Sequence, residues 1–197
     1  MRSRRGPRTT GAEFHTQSDR GFNLPEVMMT IGLVGVVTAV AVMHFGSARQ
    51  SLKGDGVMRV VRAQLNTARE LSISQRRRMQ LQFPAQNVLQ VVRQDPPGDG
   101  TVVGAVLFES GAQYLLMPGL PDTPDGFGHT KAVDFGSAMT VTFTSDGSLI
   151  DQTGKPVNGT IFVGLPNEPL SARAITIFGA TGRVRAYRWT GVKWVGL

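Results

Sequence analysis

A single uncharged stretch near the N-terminus constrains this chain more than any other feature. Residues 27–45 read VMMTIGLVGVVTAVAVMHF and contain no formally charged side chain. As a helix, this stretch would span about 28 Å, close to the hydrocarbon thickness of a bilayer. Several arginines precede it, so the positive-inside rule predicts a cytoplasmic N-terminus, with the rest of the chain outside. We therefore predict one transmembrane helix at about residues 25–45.

A cleavable secretory signal also joins basic residues to an apolar run, and it is the main alternative. Its apolar part usually has about 7–15 residues and ends at a small-residue cleavage site. The run in this chain is longer, and no good site of that kind ends it. These two differences favour a permanent anchor over a secretory signal.

The residues just before the apolar run are more specific. The order Arg20-Gly21-Phe22-Asn23-Leu24-Pro25-Glu26 resembles the leader and mature N-terminus of type IV pilins and pseudopilins. The resemblance implies that a prepilin peptidase cuts between Gly21 and Phe22 and N-methylates Phe22, with residues 1–21 as the leader. Pro25 suits this reading, because proline is tolerated in the first turn of a helix. The leader is longer than is common, so it is either a long variant or translation starts downstream of Met1.

Glu26 is unusual because a carboxylate at the edge of a membrane helix is costly. The resemblance implies that Glu26 pairs with the methylated amine of Phe22 on a neighbouring subunit and sets the register of a filament. The alternative is an interfacial glutamate that the positive end of the helix dipole stabilises.

Beyond residue 45 the pattern predicts an amphipathic helix that continues to about residue 78. Glycines at 54 and 56 are expected to loosen it. The predicted buried stripe follows helical spacing; it consists of Val57, Val60, Val61, Gln64, Leu65, Ala68, Leu71 and Ser72. From residue 79 the period changes to two, which predicts strands. They are expected at 79–83, 88–94, 101–109, 113–117, 139–144, 148–151, 159–165, 173–178 and 183–189, with a turn at 145–147.

The predicted fold is therefore α+β: a long N-terminal helix (residues 22–78) packed on an antiparallel sheet or sandwich (79–197). The segments 65–73, 141–147, 175–177 and 182–184 resemble the GspH/FimT branch of pseudopilins. This resemblance implies a minor pseudopilin, a structural subunit of a type II secretion or type IV pilus-like filament. It further implies an inner-membrane protein with a periplasmic β-domain, and as partners other pilins, the prepilin peptidase and inner-membrane lipid.

The basic C-terminal stretch suggests a second function. Residues 171–197 contain arginines and a lysine but no acidic residue. Within it, Gly182-Arg183-Val184-Arg185 resembles the G-R-x-R motif of DNA-binding FimT-like pilins. In a strand, Arg183 and Arg185 would share an exposed face with Tyr187 and Trp189, which suits phosphate contacts and base stacking.

The predicted DNA-binding residues are Arg183, Arg185, Arg188 and Lys193. Arg76-Arg77-Arg78 would either extend that surface, lie near lipid headgroups or close the dipole of the helix. The alternative for the C-terminal strand is an edge that its charges protect from aggregation. The sequence leaves these alternatives open.

No motif in the sequence points to catalysis. The chain has no cysteine, and its three histidines, at positions 15, 44 and 129, are far apart. Residues 126–131 are glycine-rich but lack the spacing of a phosphate-binding loop. We therefore expect no enzyme activity, no metal and no cofactor.

Overall fold

The computed structural model describes residues 23–98 and 100–197. Within them, one helix precedes antiparallel strands, which confirms the α+β class. The helix α1 is Leu24–Ser74. The strands are β1 (Met79–Ala85), β2 (Val88–Arg93), β3 (Thr101–Leu107), β4 (Gln113–Tyr114), β5 (Val133–Asp134), β6 (Val141–Phe143), β7 (Leu149–Ile150), β8 (Gly159–Leu165), β9 (Glu168–Phe178), β10 (Arg183–Trp189) and β11 (Trp194–Gly196). The chain divides into two compact units between Val42 and Met43.

The first unit contributes the apolar part of α1. Leu24–Val42 has a mean hydropathy of 1.9, none of it is buried, and by length and composition it could cross a membrane. The hydroxyls of Thr30 and Thr38 donate to backbone carbonyls of the preceding turn, at 2.9 Å and 2.7 Å. Their polar atoms are thus satisfied within the helix, as an apolar surrounding requires.

In the second unit, one stripe of α1 packs into the core. Most of its buried residues lie alternately four and three positions apart, the spacing of one helix face; they are Gly54, Met58, Val61, Leu65, Ala68 and Ser72, and Val57 is buried beside them. The predicted stripe is wrong at Val60, which is 43% exposed, while Met58 is buried. Val60 lies between two rows of the stripe, so the helix turns it outward.

The expected loosening at Gly54 and Gly56 does not occur, since α1 is continuous there. A Cβ atom on Gly54 would overlap the backbone of Ser171 in β9. Glycine at this position therefore lets the helix and strand approach each other closely.

Two antiparallel sheets complete the second unit. The first has the order β3-β2-β1-β6-β7, and the second has the order β11-β10-β9-β8-β4, with β5 also paired to β8. The helix stripe, the first sheet and the inner face of the second sheet share one apolar core. A smaller cluster lies on the outer face of the second sheet, where residues from 115–120 cover it. These two faces of the second sheet carry the residues of functional interest.

Candidate functional site

The turn between β9 and β10 brings the end of the second sheet close to α1 and the β6–β7 hairpin. Gly182 has a φ of 63°, a conformation that favours glycine. A Cβ atom there would also overlap the carbonyl oxygen of Gly147 and approach Arg69. Packing and backbone conformation therefore require glycine at position 182. This requirement does not depend on any binding function of Arg183.

A cleft of about 800 Å³ opens beside this turn. Its walls include Arg183 and Arg185 from β10, together with Arg62, Asn66 and Arg69 from α1. The three helix residues lie on one face because they are four and three positions apart. We call this the arginine cleft. Arg62 and Arg69 are not part of the buried stripe predicted from the sequence, and only the fold places them opposite β10.

One acidic side chain also lines the arginine cleft. Asp125 accepts hydrogen bonds from Arg185 Nη1 at 2.7 Å, Tyr187 Oη at 2.8 Å and Thr176 Oγ1 at 2.6 Å. Burial raises the pKa of Asp125, but the hydrogen bonds from Thr176, Tyr187 and Arg185 outweigh it and leave the pKa below its usual value. Asp125 is therefore ionised at neutral pH and neutralises Arg185.

The remaining cleft arginines have fewer partners. Arg69 Nε donates to the carbonyl of Gly147 at 3.2 Å, so part of its side chain has a structural role. Across residues 23–98 and 100–197, no ion pair or hydrogen bond involves the side chain of Arg62 or Arg183. The arginine cleft thus carries an excess of positive charge that could hold an anion.

The prediction that Tyr187 and Trp189 lie exposed beside the arginines is wrong. They share the outer face of β10, but Tyr187 is only 7% exposed and Trp189 only 9%. Both belong to the small cluster that includes Met117, Leu120 and Trp194. The aromatic side chains at the arginine cleft are instead Phe127 and Phe178, whose ring centroids lie 6.0 Å apart.

The four predicted DNA-binding residues do not form one patch. Arg188 is half-buried on the inner face of β10, opposite to the face of Arg183 and Arg185. Lys193 is exposed in the turn before β11. About 20 Å of strand separates the first and last residues of β10, so Lys193 is also distant from Arg183.

The other predicted positions lie apart from the arginine cleft. Arg76, Arg77 and Arg78 are exposed just after α1 ends. Glu26 is exposed in the first turn of α1, and within the part of the chain that the structure describes its side chain has no polar partner. Gly21 and Phe22 lie outside the described residues. In the ranges 23–98 and 100–197, no group of His, Cys, Asp and Glu side chains could hold a metal ion.

Comparison with known proteins gives one structural similarity. No protein-family model matches the chain. No curated protein matches it either. Among solved structures, it is similar to the crystal structure of the type IV minor pilin FimU of Pseudomonas aeruginosa (strain PAO1). The sequence identity is 16%, the TM-score is 0.47, and the match covers 75% of this chain and 92% of that chain.

Proposed function

We propose that the chain is a pilin-like minor subunit, anchored in the bacterial inner membrane, of a type II secretion or type IV pilus-like filament. The observation that carries the proposal is the exposed apolar segment Leu24–Val42, followed by a folded β-rich unit. Such a segment needs lipid, and then other apolar helices, to cover it. The resemblance of residues 20–26 to a pilin N-terminus supports a filament over a simple membrane anchor.

Glu26 is the residue that we propose acts when subunits assemble into a filament. Its carboxylate is exposed in the first turn of an otherwise apolar segment. In a membrane or a filament core, a carboxylate without a cationic partner is costly. We infer that the cation comes from a neighbouring subunit, as the methylated amine of Phe22. The interfacial alternative requires no neighbour.

The maturation step is tested by mass spectrometry of the chain recovered from membranes. Cleavage after Gly21 gives Phe22 as the terminal residue, with the added mass of one methyl group. A mature N-terminus near Arg49 would instead identify an ordinary secretory signal and would overturn the proposal.

The assembly step is tested with Glu26→Ala in cells that carry the partner subunits. We expect the variant to remain in the membrane, because it removes a charge from an apolar segment, but to lose most of its cross-links to partner pilins. Glu70→Ala is the matched control, since Glu70 is an exposed carboxylate elsewhere on α1. Equal cross-linking of the Glu26→Ala variant and the wild type would leave Glu26 as an interfacial residue only.

A second candidate function is DNA binding for uptake, and the arginine cleft favours it. Three of its arginines, Arg62, Arg69 and Arg183, have no acidic partner among residues 23–98 and 100–197. Contacts to phosphates supply most sequence-independent affinity for duplex DNA. The structure changes the proposed residues, because Arg188 and Lys193 lie away from the cleft. It also removes Tyr187 and Trp189 as stacking groups.

The DNA candidate is tested by a salt titration of duplex binding, followed by fluorescence anisotropy. Each phosphate contact contributes about −0.9 to the slope of log affinity against log salt concentration. Arg62→Gln combined with Arg183→Gln should therefore reduce the magnitude of the slope by about 2. Arg59→Gln is the control, because Arg59 is exposed on α1 but does not line the cleft. No binding at low salt, or an unchanged slope in the double variant, would exclude this function.

A further inference from the structure

Two arginines lie directly opposite each other on the inner face of the second sheet. Arg173 of β9 and Arg188 of β10 are paired residues of the antiparallel ladder. Like charges in this position repel each other. Each of the two guanidinium groups therefore needs an anion or a set of hydrogen-bond acceptors of its own.

Arg173 has such partners within the chain. Its side chain is fully buried, and its Nε donates to Asp55 Oδ1 at 2.7 Å. Its two terminal nitrogens donate to Ser51 O and Ser51 Oγ, and to the carbonyls of Leu170 and Ala172, at 2.7–2.9 Å. These contacts use the carboxylate of Asp55 and the hydroxyl of Ser51.

Arg188 differs from Arg173 in this respect. Among the side chains that the structure describes, in residues 23–42, 46, 48–98 and 100–197, none forms an ion pair or a hydrogen bond with the side chain of Arg188. It is half-buried and lines a cleft of about 280 Å³ with Ala48, Ser51, Leu170, Trp189 and Thr190. A half-buried guanidinium beside a second one, at the wall of an open cleft, is a site for an anion from outside.

Two acidic groups lie near the helix wall of this cleft. Asp55 is paired with Arg173 at 2.7 Å, and Glu168 Oε1 lies 3.7 Å from Lys53 Nζ, while Glu168 Oε2 has no hydrogen-bond partner among the described residues. Arg49 is exposed next to Ala48 along the chain, and Lys193 is exposed in the turn that follows Thr190. An anion in the cleft would therefore meet Arg188 in the wall, with two further cations close along the chain to other wall residues.

We propose that the cleft beside Arg188 binds the phosphate of an anionic phospholipid headgroup. The inference rests on the proposed membrane anchor. Ala48 in the cleft wall is six positions along the chain from Val42, the last residue of the apolar segment. A chain of that length reaches at most about 20 Å, so the cleft stays near the headgroups in every orientation of the second unit.

The residue types fit this surrounding. Arginine binds phosphate oxygens through charge-assisted hydrogen bonds from a planar group. A zwitterionic lipid also carries a phosphate, but its own cation would be repelled by Arg188 and Arg49. The site therefore discriminates by the net charge of the headgroup.

The test is native mass spectrometry of the full-length chain in detergent, titrated separately with phosphatidylglycerol, phosphatidylcholine and inorganic phosphate. We expect one phosphatidylglycerol to be retained about tenfold more tightly than phosphatidylcholine. Arg188→Gln should bring the ratio of the two lipid affinities close to one, while Arg188→Lys should keep part of the preference. Arg59→Gln is the matched control and should keep all of it.

Thermal unfolding of each variant checks the fold. Arg188→Gln should not be less stable than wild type, because it removes a like charge opposite Arg173. The proposal is overturned if Arg188→Gln retains the wild-type preference, if both lipids bind equally, or if inorganic phosphate displaces the lipid. Failure of the membrane anchor is a different result, and extraction of membranes with alkaline carbonate identifies it. If the anchor fails, the wild-type chain itself is released from the membranes.

Discussion

Arg173 and Arg183 lie on opposite faces of the second sheet, in opposite physical circumstances. On the inner face, Arg173 is fully buried and held by Asp55, Ser51 and two backbone carbonyls. On the outer face, Arg183 is exposed, without a side-chain partner among residues 23–98 and 100–197, and Arg185 is 48% exposed beside Asp125. A count of basic residues between 171 and 197 treats these side chains as equal. Only their surroundings separate a structural cation from a cation that is free to bind.

The largest effect is expected on the inner face. Asp55→Ala leaves the guanidinium of Arg173 buried without its carboxylate, which should lower the free energy of unfolding by about 3–5 kcal/mol. Replacing both partners, with Asp55→Leu and Arg173→Met, should restore much of the loss, because no charge then remains buried. Denaturant unfolding, followed by tryptophan fluorescence, measures the free energy of unfolding of the single and the double variant. A loss below about 1 kcal/mol in the single variant would show that Arg173 reaches water or another acceptor.

The next effect concerns the turn that positions the outer-face arginines. Gly182→Ala forces alanine to a φ of 63° and places its Cβ against the carbonyl of Gly147. The backbone conformation alone should cost about 1–2 kcal/mol, and the contact adds to it. Gly136→Ala is the matched control, since Gly136 also has a φ of 63° but open space around it. Equal destabilisation of the two variants would mean that the approach to Gly147 is not tight.

A smaller effect is expected at Asp125. Its folded-state pKa lies below the ordinary value, so the fold stabilises the ionised form. This contribution is present above the ordinary carboxyl pKa of about 4 and is lost as the pH falls through the lower folded pKa. Asp125→Asn should lower the free energy of unfolding by about 1 kcal/mol at pH 7 and less at pH 3. An equal loss at both pH values would contradict the role of the charge.

The smallest effect on stability is expected for Arg183→Gln. Because Arg183 is exposed and has no partner among the described residues, the free energy of unfolding should change by less than about 0.5 kcal/mol. Asp125→Asn in the same background frees Arg185 and should strengthen binding of an anionic polymer to the arginine cleft. Unfolding measurements and anisotropy on the same samples test both statements. Weaker binding after Asp125→Asn would show that Asp125 orients Arg185 for the ligand.

Much of the fold follows from periodicity. The apolar run, the amphipathic part of α1 and strands β1, β2, β8 and β10 have clear patterns, and their observed limits agree with the predicted ones to within four residues. Strands β5 and β11 were not predicted. They have only two and three residues, so no alternation can reveal them, and their pairing depends on neighbours that are distant in sequence.

The arginine cleft was less predictable than the fold. The two-residue alternation along β10 correctly predicted that Tyr187 and Arg183 share a face. It gave no information about which residues from elsewhere in the chain cover that face at Tyr187. Met117 and Leu120 cover Tyr187, and they come from a segment about seventy residues earlier in the chain. Likewise, the convergence of Arg62 with Arg183 depends on how α1 packs against the sheets. A pattern within one element cannot report such contacts between elements.

The close contact between Gly54 and Ser171 has a mechanical consequence. Gly54 is the first buried residue of α1 among those described. The side chain of Arg173 forms hydrogen bonds with Ser51 and Asp55 on either side of it. A pull on the N-terminal end of α1 would therefore reach these contacts before it reached the rest of the buried stripe. A filament subunit held this way would transmit tension from its anchor into the second sheet before its core is disturbed.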